Sequence, residues 1–154
     1  MFPLISTLME LRHAREMVAR AKKELDGRNI PYDPGIKTGV MIEVPAAAVL
    51  AEQIAAESDF LSIGTNDLIQ YLLAVDRDNA AVAPLYQQFN PAVLRTIKGI
   101  IDAGHKRGVW VGMCGEMAGD PLATVLLVPV MLTFSLATWR VVRVRFSVGE
   151  LGLF

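Results

Sequence analysis

The sequence is poor in most of the features that settle function quickly. It has one cysteine, Cys114, so no internal disulfide framework is available; a lone thiol suits a reducing cytosol, and the expected location is cytoplasmic. It has two histidines, His13 and His105. Both fall inside helical patterns, outside any glycine-rich or nucleophile-like setting, and with one cysteine they assemble no zinc site. Charge of one sign is missing too: 15 Lys and Arg stand against 16 Asp and Glu, a net charge of −1. Nothing therefore points to nucleic acid or an anionic membrane surface. No basic segment precedes Met1-Phe2-Pro3-Leu4-Ile5, so no signal peptide is expected. The longest apolar stretch, Val125 to Trp139, carries Pro129, Thr133 and Ser135 and falls short of the roughly 20 residues of a spanning helix. There is no GxGxxG, no P-loop and no internal repeat. What remains is 154 residues, one domain's length, enough for a sizeable core and read as soluble.

Short apolar runs alternate with helical patterns. Phe2 to Ile5 reads as a strand, and Thr7 with Glu10 as a capping box opening an amphipathic helix from Leu8 to about Leu25. After a proline-bearing loop, Thr38 to Val44 reads as a buried strand and Pro45 as the first position of a helix over Ala46 to Ser58. Phe60 to Ile63 is the next strand, Leu68 to Ala74 the next helix. Asn90-Pro91 opens a helix ending near Lys106, Val109 to Met113 is a further strand, and Asp120-Pro121 opens the last helix. Apolar strands alternating with helices predict an α/β fold with a parallel sheet, whose ligands sit at the carboxyl ends of the strands.

Three strand ends carry chemistry. Glu43 interrupts an apolar run, and a buried carboxylate is costly unless paired, hydrogen-bonded or bound to metal; a buried Glu–Arg pair is the plain alternative. Gly64-Thr65-Asn66-Asp67 reads as a tight strand-to-helix turn, with Gly64 for close turning and Thr65 or Asn66 as cap. The free N–H groups there face an anion, and Asp67 sits beside it. If the two strands are neighbours, Glu43 and Asp67 converge, and two carboxylates with open positions suit Mg²⁺. Arg77 lies ten residues on in a loop and offers a fixed positive charge, or is an ordinary solvated arginine. Cys114 lies in Gly112-Met113-Cys114-Gly115, either a small core residue or a thiol able to give or take a proton.

Four blocks, in order, resemble the phosphoenolpyruvate-utilising enzymes: Gly39-Val40-Met41-Ile42-Glu43-Val44-Pro45, Asp59-Phe60-Leu61-Ser62-Ile63-Gly64-Thr65-Asn66-Asp67-Leu68, Leu73-Ala74-Val75-Asp76-Arg77 and Gly112-Met113-Cys114-Gly115-Glu116-Met117-Ala118-Gly119-Asp120. Gln70-Tyr71 and the Leu-Ala-Val-Asp-Arg block favour the enzyme I branch of the bacterial phosphotransferase system over the pyruvate phosphate dikinases and phosphoenolpyruvate synthases. The resemblance implies a (β/α)8 TIM barrel of the phosphoenolpyruvate/pyruvate-binding type with its site on the C-terminal face. It implies Mg²⁺ on Glu43 and Asp67, phosphoenolpyruvate contacts from Asn66 and Asp67, and phosphoryl contact from Arg77. It implies that Cys114 protonates the enolpyruvate methylene as pyruvate forms. Its partners would be phosphoenolpyruvate or pyruvate and the carrier protein HPr, with a homodimer as assembly.

The resemblance covers residues 1–127 and begins at the fourth barrel strand, without the three earlier strands, their arginines or the domain bearing the phosphorylated histidine. The expected fold is thus a partial barrel, about strands four to eight, with an atypical end. Residues 128–154 read as a divergent tail: Glu150 is the one acid from Val125 to Phe154, against three arginines. A shifted reading frame would explain this, and an unbroken coding frame across codon 127 would overturn it. A barrel arc alone exposes a sheet edge, so self-association and an inactive isolated chain are expected. The alternatives are a dikinase or synthase fragment, a non-catalytic remnant acting by association, and a Mg²⁺-dependent lyase or aldolase on a similar barrel.

Overall fold

The computed structural model describes residues 1–132, with side chains through residue 127. The divergent-tail expectation falls almost wholly outside those residues. The order is helix α1 (Leu8–Gly27), strand β1 (Gly39–Ile42), helices α2 (Pro45–Val49) and α3 (Ala51–Ala56), strand β2 (Phe60–Gly64), helix α4 (Thr65–Leu73), helix α5 (Pro91–Lys106), strand β3 (Trp110–Cys114) and helix α6 (Pro121–Leu132), with 3-10 turns at Ala83–Leu85 and Glu116–Gly119. The three strands form one parallel sheet in the order β1-β2-β3. This is a mixed α/β architecture with a small parallel sheet.

Local signals set most of the boundaries. The Thr7–Glu10 capping box forms in full, each side chain accepting from the other's backbone N–H. Asn90 Oδ1 accepts from the Ala92 N–H at 2.9 Å ahead of Pro91, and Gly108, at φ +70°, closes the far end of α5. Two elements differ from expectation. The predicted strand at Phe2–Ile5 reduces to one parallel bridge, Phe2 to Val40; Pro3 has no N–H to continue the ladder, and Leu4 turns to φ +52°. The predicted helix over 46–58 breaks at Leu50 (φ −92°, ψ 13°). The break leaves Val49 in solvent and turns Ala51, Ile54 and Ala55 inward. In α1, which forms where the sequence places it, Leu11 is buried and Leu8 packs partly against the core, while Met9 and Met17 stay exposed.

The sheet has two unlike faces, as the alternation of side chains requires. Val40, Ile42, Leu61, Ile63, Val111 and Met113 point to one face and join the buried core with Ile54, Leu68, Val93, Ile97, Ile100 and Ile101 of the helices. α5 lies so close that a Cβ on Gly104 would stand 2.3 Å from Val111 Cγ2. The other face reads Gly39, Phe60, Trp110 in its first row and Met41, Ser62, Gly112 in its second, by register. Phe60 and Trp110 stack there, centroids 4.4 Å apart, and Gly39 leaves room for the Phe60 ring. At its third row this face carries Gly64 beside Cys114, with Glu43 just beyond β1. Among the described residues no helix is long and apolar enough to cross a membrane.

Candidate functional site

The carboxyl ends of the three strands bring Glu43, the Thr65-Asn66-Asp67 turn and Cys114 side by side. Glu43 is buried, 3% exposed, and its Oε1 accepts the Leu4 N–H at 2.7 Å. Leu4 itself stands in a left-handed turn. Gly64 makes room for it: a Cβ there would lie 2.8 Å from Glu43 Oε2. This corrects the sequence-based reason for Gly64, whose φ of −85° is open to any residue. The arginine pairing considered for Glu43 is absent, since neither Glu43 nor Asp67 belongs to an ion pair among the described residues. Burial pushes the Glu43 carboxyl above the usual carboxylate range; the Leu4 N–H opposes the rise, while Asp67 adds to it by charge and by hydrogen bonding. Glu43 and Asp67 therefore converge, as the sequence predicted.

Thr65 and Asn66 do not cap α4, contrary to expectation. Gly64 occupies the cap position with no side-chain bond, and the helix starts at Thr65. Both side chains instead fasten α4 to the end of β3. Thr65 Oγ1 donates to the Cys114 carbonyl at 2.9 Å, and Asn66 Oδ1 accepts the Glu116 N–H at 2.9 Å. Gly115, at φ +96°, is required at that junction: a Cβ would stand 2.4 Å from Thr65 Oγ1 and 2.8 Å from Asn66 Oδ1. With Oδ1 committed, the Asn66 amide presents its N–H groups as donors.

Cys114 is half-buried. The Ser62 hydroxyl donates to its sulfur at 3.7 Å, and the thiol donates to the Ile63 carbonyl at 3.5 Å. Arg77 is placed by its own backbone N–H, which donates to Gln70 Oε1 at 3.2 Å. Tyr86 enters the same region. Its hydroxyl donates to the Asn66 carbonyl at 3.3 Å, and burial, with Glu116 and Asp67, raises its phenol above the usual range while Arg77 opposes. Ser62, Gln70 as a backbone anchor, and Tyr86 were not singled out from the sequence. Ser62 was legible in principle, since it shares strand parity with Phe60 and Gly64. Tyr86 gave no signal, because a single aromatic in a polar connection carries no period.

Chemically, two adjacent carboxyls with no ion-pair partner among the described residues favour sharing a proton or binding a divalent cation. The donor set is two oxygen-bearing side chains. No group of three or more His, Cys, Asp and Glu forms a metal cluster among the described residues. That set suits Mg²⁺, which usually completes its shell with water and phosphate oxygens, better than a transition metal. Along the same strand ends lie the N-terminus of α4, amide donors from Asn66 and a thiol, and the connection that carries Arg77 is anchored to α4 through Gln70.

Comparison with known proteins identifies the family. The family described as PEP-utilising enzyme, PEP-binding domain, matches residues 1–152. The chain is 50% identical over 153 residues to a phosphoenolpyruvate-protein phosphotransferase of Bacillus sp. (strain S), and equally so to that of Geobacillus stearothermophilus. Each alignment covers 99% of this chain and 26% of the relative. The protein of the same name from Listeria monocytogenes is 49% identical over 152 residues, 98% of this chain and 27% of its own length. The chain thus spans about a quarter of the length of these relatives.

Proposed function

Because this chain belongs to the PEP-utilising enzymes, through their PEP-binding domain, we propose that its strand ends bind phosphoenolpyruvate and that it forms part of a phosphoenolpyruvate-protein phosphotransferase of the enzyme I type. The observation that carries the reading is the convergence of Glu43 and Asp67, two carboxyls without an ion-pair partner among the described residues, beside the α4 N-terminus. They would hold Mg²⁺, which supplies charge neutralisation for the phosphoryl group. The Asn66 amide and the α4 N-terminus hold phosphoenolpyruvate oxygens. Arg77, anchored through Gln70, offsets the charge of the departing phosphoryl group.

In the reaction, the bond between phosphorus and the enol oxygen breaks and a phosphorus–nitrogen bond forms on a histidine of the full-length protein, from which the group passes to HPr. The enolate left behind takes the Cys114 thiol proton on its methylene carbon and becomes pyruvate; solvent returns the proton to sulfur. The Ile63 carbonyl holds the thiol proton in the resting site, and the Ser62 hydroxyl stays on sulfur once the proton has gone. The three-stranded sheet is read as an arc of a (β/α)8 barrel, with its site at the C-terminal face. The whole protein would be a cytoplasmic homodimer serving sugar uptake.

Calorimetric titration of the chain with phosphoenolpyruvate, with and without Mg²⁺, tests this. Binding should require Mg²⁺ and disappear in Asp67→Ala. Binding indifferent to both, or no binding by a well-folded chain, would overturn the reading for this chain.

A further inference from the structure

The connection from Ala74 to Asn90 carries Arg77 between α4 and α5, and three hydrogen bonds that involve side chains tie it to the frame of the site. The Arg77 N–H donates to Gln70 in α4, the Tyr86 hydroxyl to the Asn66 carbonyl, and the Gln88 side-chain amide to Asp120 beyond the 3-10 turn. Of these tethers, Tyr86 alone both grips the Asn66–Asp67 turn and lies within electrostatic reach of Arg77, Asp67 and Glu116. Its ring packs against the apolar core, and its N–H closes the 3-10 turn onto the Ala83 carbonyl at 2.9 Å. The ring is thus accounted for by packing; the hydroxyl is spent on the site.

We infer that Tyr86 is a positioning residue of the phosphoenolpyruvate site: its hydroxyl straps the Arg77-bearing connection to the turn that carries Asn66 and Asp67. This rests on the reading above. Between the Gln70 anchor and the distant Gln88 tether, an arginine on an otherwise unfastened connection samples many positions, and each must be given up when a phosphoryl group binds. A second anchor on the far side of the connection removes most of them beforehand. The Asn66 carbonyl has two lone pairs and takes the phenol without losing its place in α4.

Tyr86→Phe in the full chain tests the inference, because it keeps the ring and removes the hydroxyl. The first readout needs no ligand. Trypsin cleavage after Arg77 is timed against cleavage after Arg28 and Lys37, which lie in the separate connection between α1 and β1. Loss of one hydrogen bond of ordinary net strength should speed cleavage after Arg77 by about two- to tenfold with the other two sites unchanged. The second readout is calorimetric titration with phosphoenolpyruvate and Mg²⁺, in which the variant should bind more weakly by a similar factor. An unchanged rate after Arg77, or equal acceleration at all three sites, overturns the role of Tyr86. Absent binding by the parent chain overturns the phosphoenolpyruvate reading instead, so the two fail separately.

Discussion

Glu43 is a carboxyl held almost out of reach of water by one backbone N–H, with another carboxyl as neighbour. The folded protein keeps its proton to higher pH than the unfolded chain does. Stability from this group is therefore full below its ordinary value of 4.5 and is lost as pH rises through the raised one. In Glu43→Gln the amide oxygen still accepts from Leu4 and no charge remains to bury. Without Mg²⁺ at neutral pH that variant should be more stable than the parent by roughly 1 kcal/mol, in the manner of other buried charges made neutral. Urea titrations with and without Mg²⁺ check this: the parent should gain stability from the metal and the variant should not. Glu43 was legible because a carboxylate in an apolar run is conspicuous. Thr65 and Asn66 were legible as polar turn residues, but a cap and a cross-strand clasp need the same residue types. Only the position of Cys114 and Glu116 in space separates the two roles. Tyr86 could not be found, since its function depends on where a long connection folds back.

At the scale of elements, α5 shows what packing does to an ordinary residue. His105 lies in its last turn, and burial lowers its pKa below the ordinary value of 6.5, with Asp102 opposing. The folded state prefers the neutral ring, so its contribution is full above 6.5 and is lost as pH falls through the lowered value. Thermal melts from pH 7 downward should fall more steeply for the parent than for His105→Gln. Equal slopes would show that burial leaves the ring's titration unmoved. Element boundaries followed the chemistry that sets them. Where a cap, a proline or a left-handed glycine was present, as at Thr7, Asn90 and Gly108, start and stop were read correctly. Where only apolar spacing was available, as across Leu50, the sequence offered no mark of the break. The edge bridge at Phe2 was read too long because Leu4 adopts a left-handed turn that its side chain does not announce.

At the scale of the molecule, the described residues leave the β3 side of the sheet without a neighbouring strand and the outer face of α6 uncovered. Leu122, Val125 and Leu126 recur at helical spacing there, each at least half exposed. Such a stripe favours burial against another surface. Sedimentation of this chain should therefore show self-association that rises with concentration and weakens in Leu122→Lys/Leu126→Lys. A parent that stays monomeric across the range would refute it.

The Phe60–Trp110 stack has an optical consequence. The indole sits at the first residue of β3 and the thiol at the last, about 13 Å apart along the strand. The other tryptophan, Trp139, lies outside the described residues. Emission from Trp110 reports on the entrance row of the sheet, where its ring is pressed against another aromatic, and a small ligand at the opposite end leaves that surrounding unchanged. The same strand thus carries a light-emitting probe of folding at one end and a thiol at the other whose alkylation can be timed. Each end can be followed without disturbing the other.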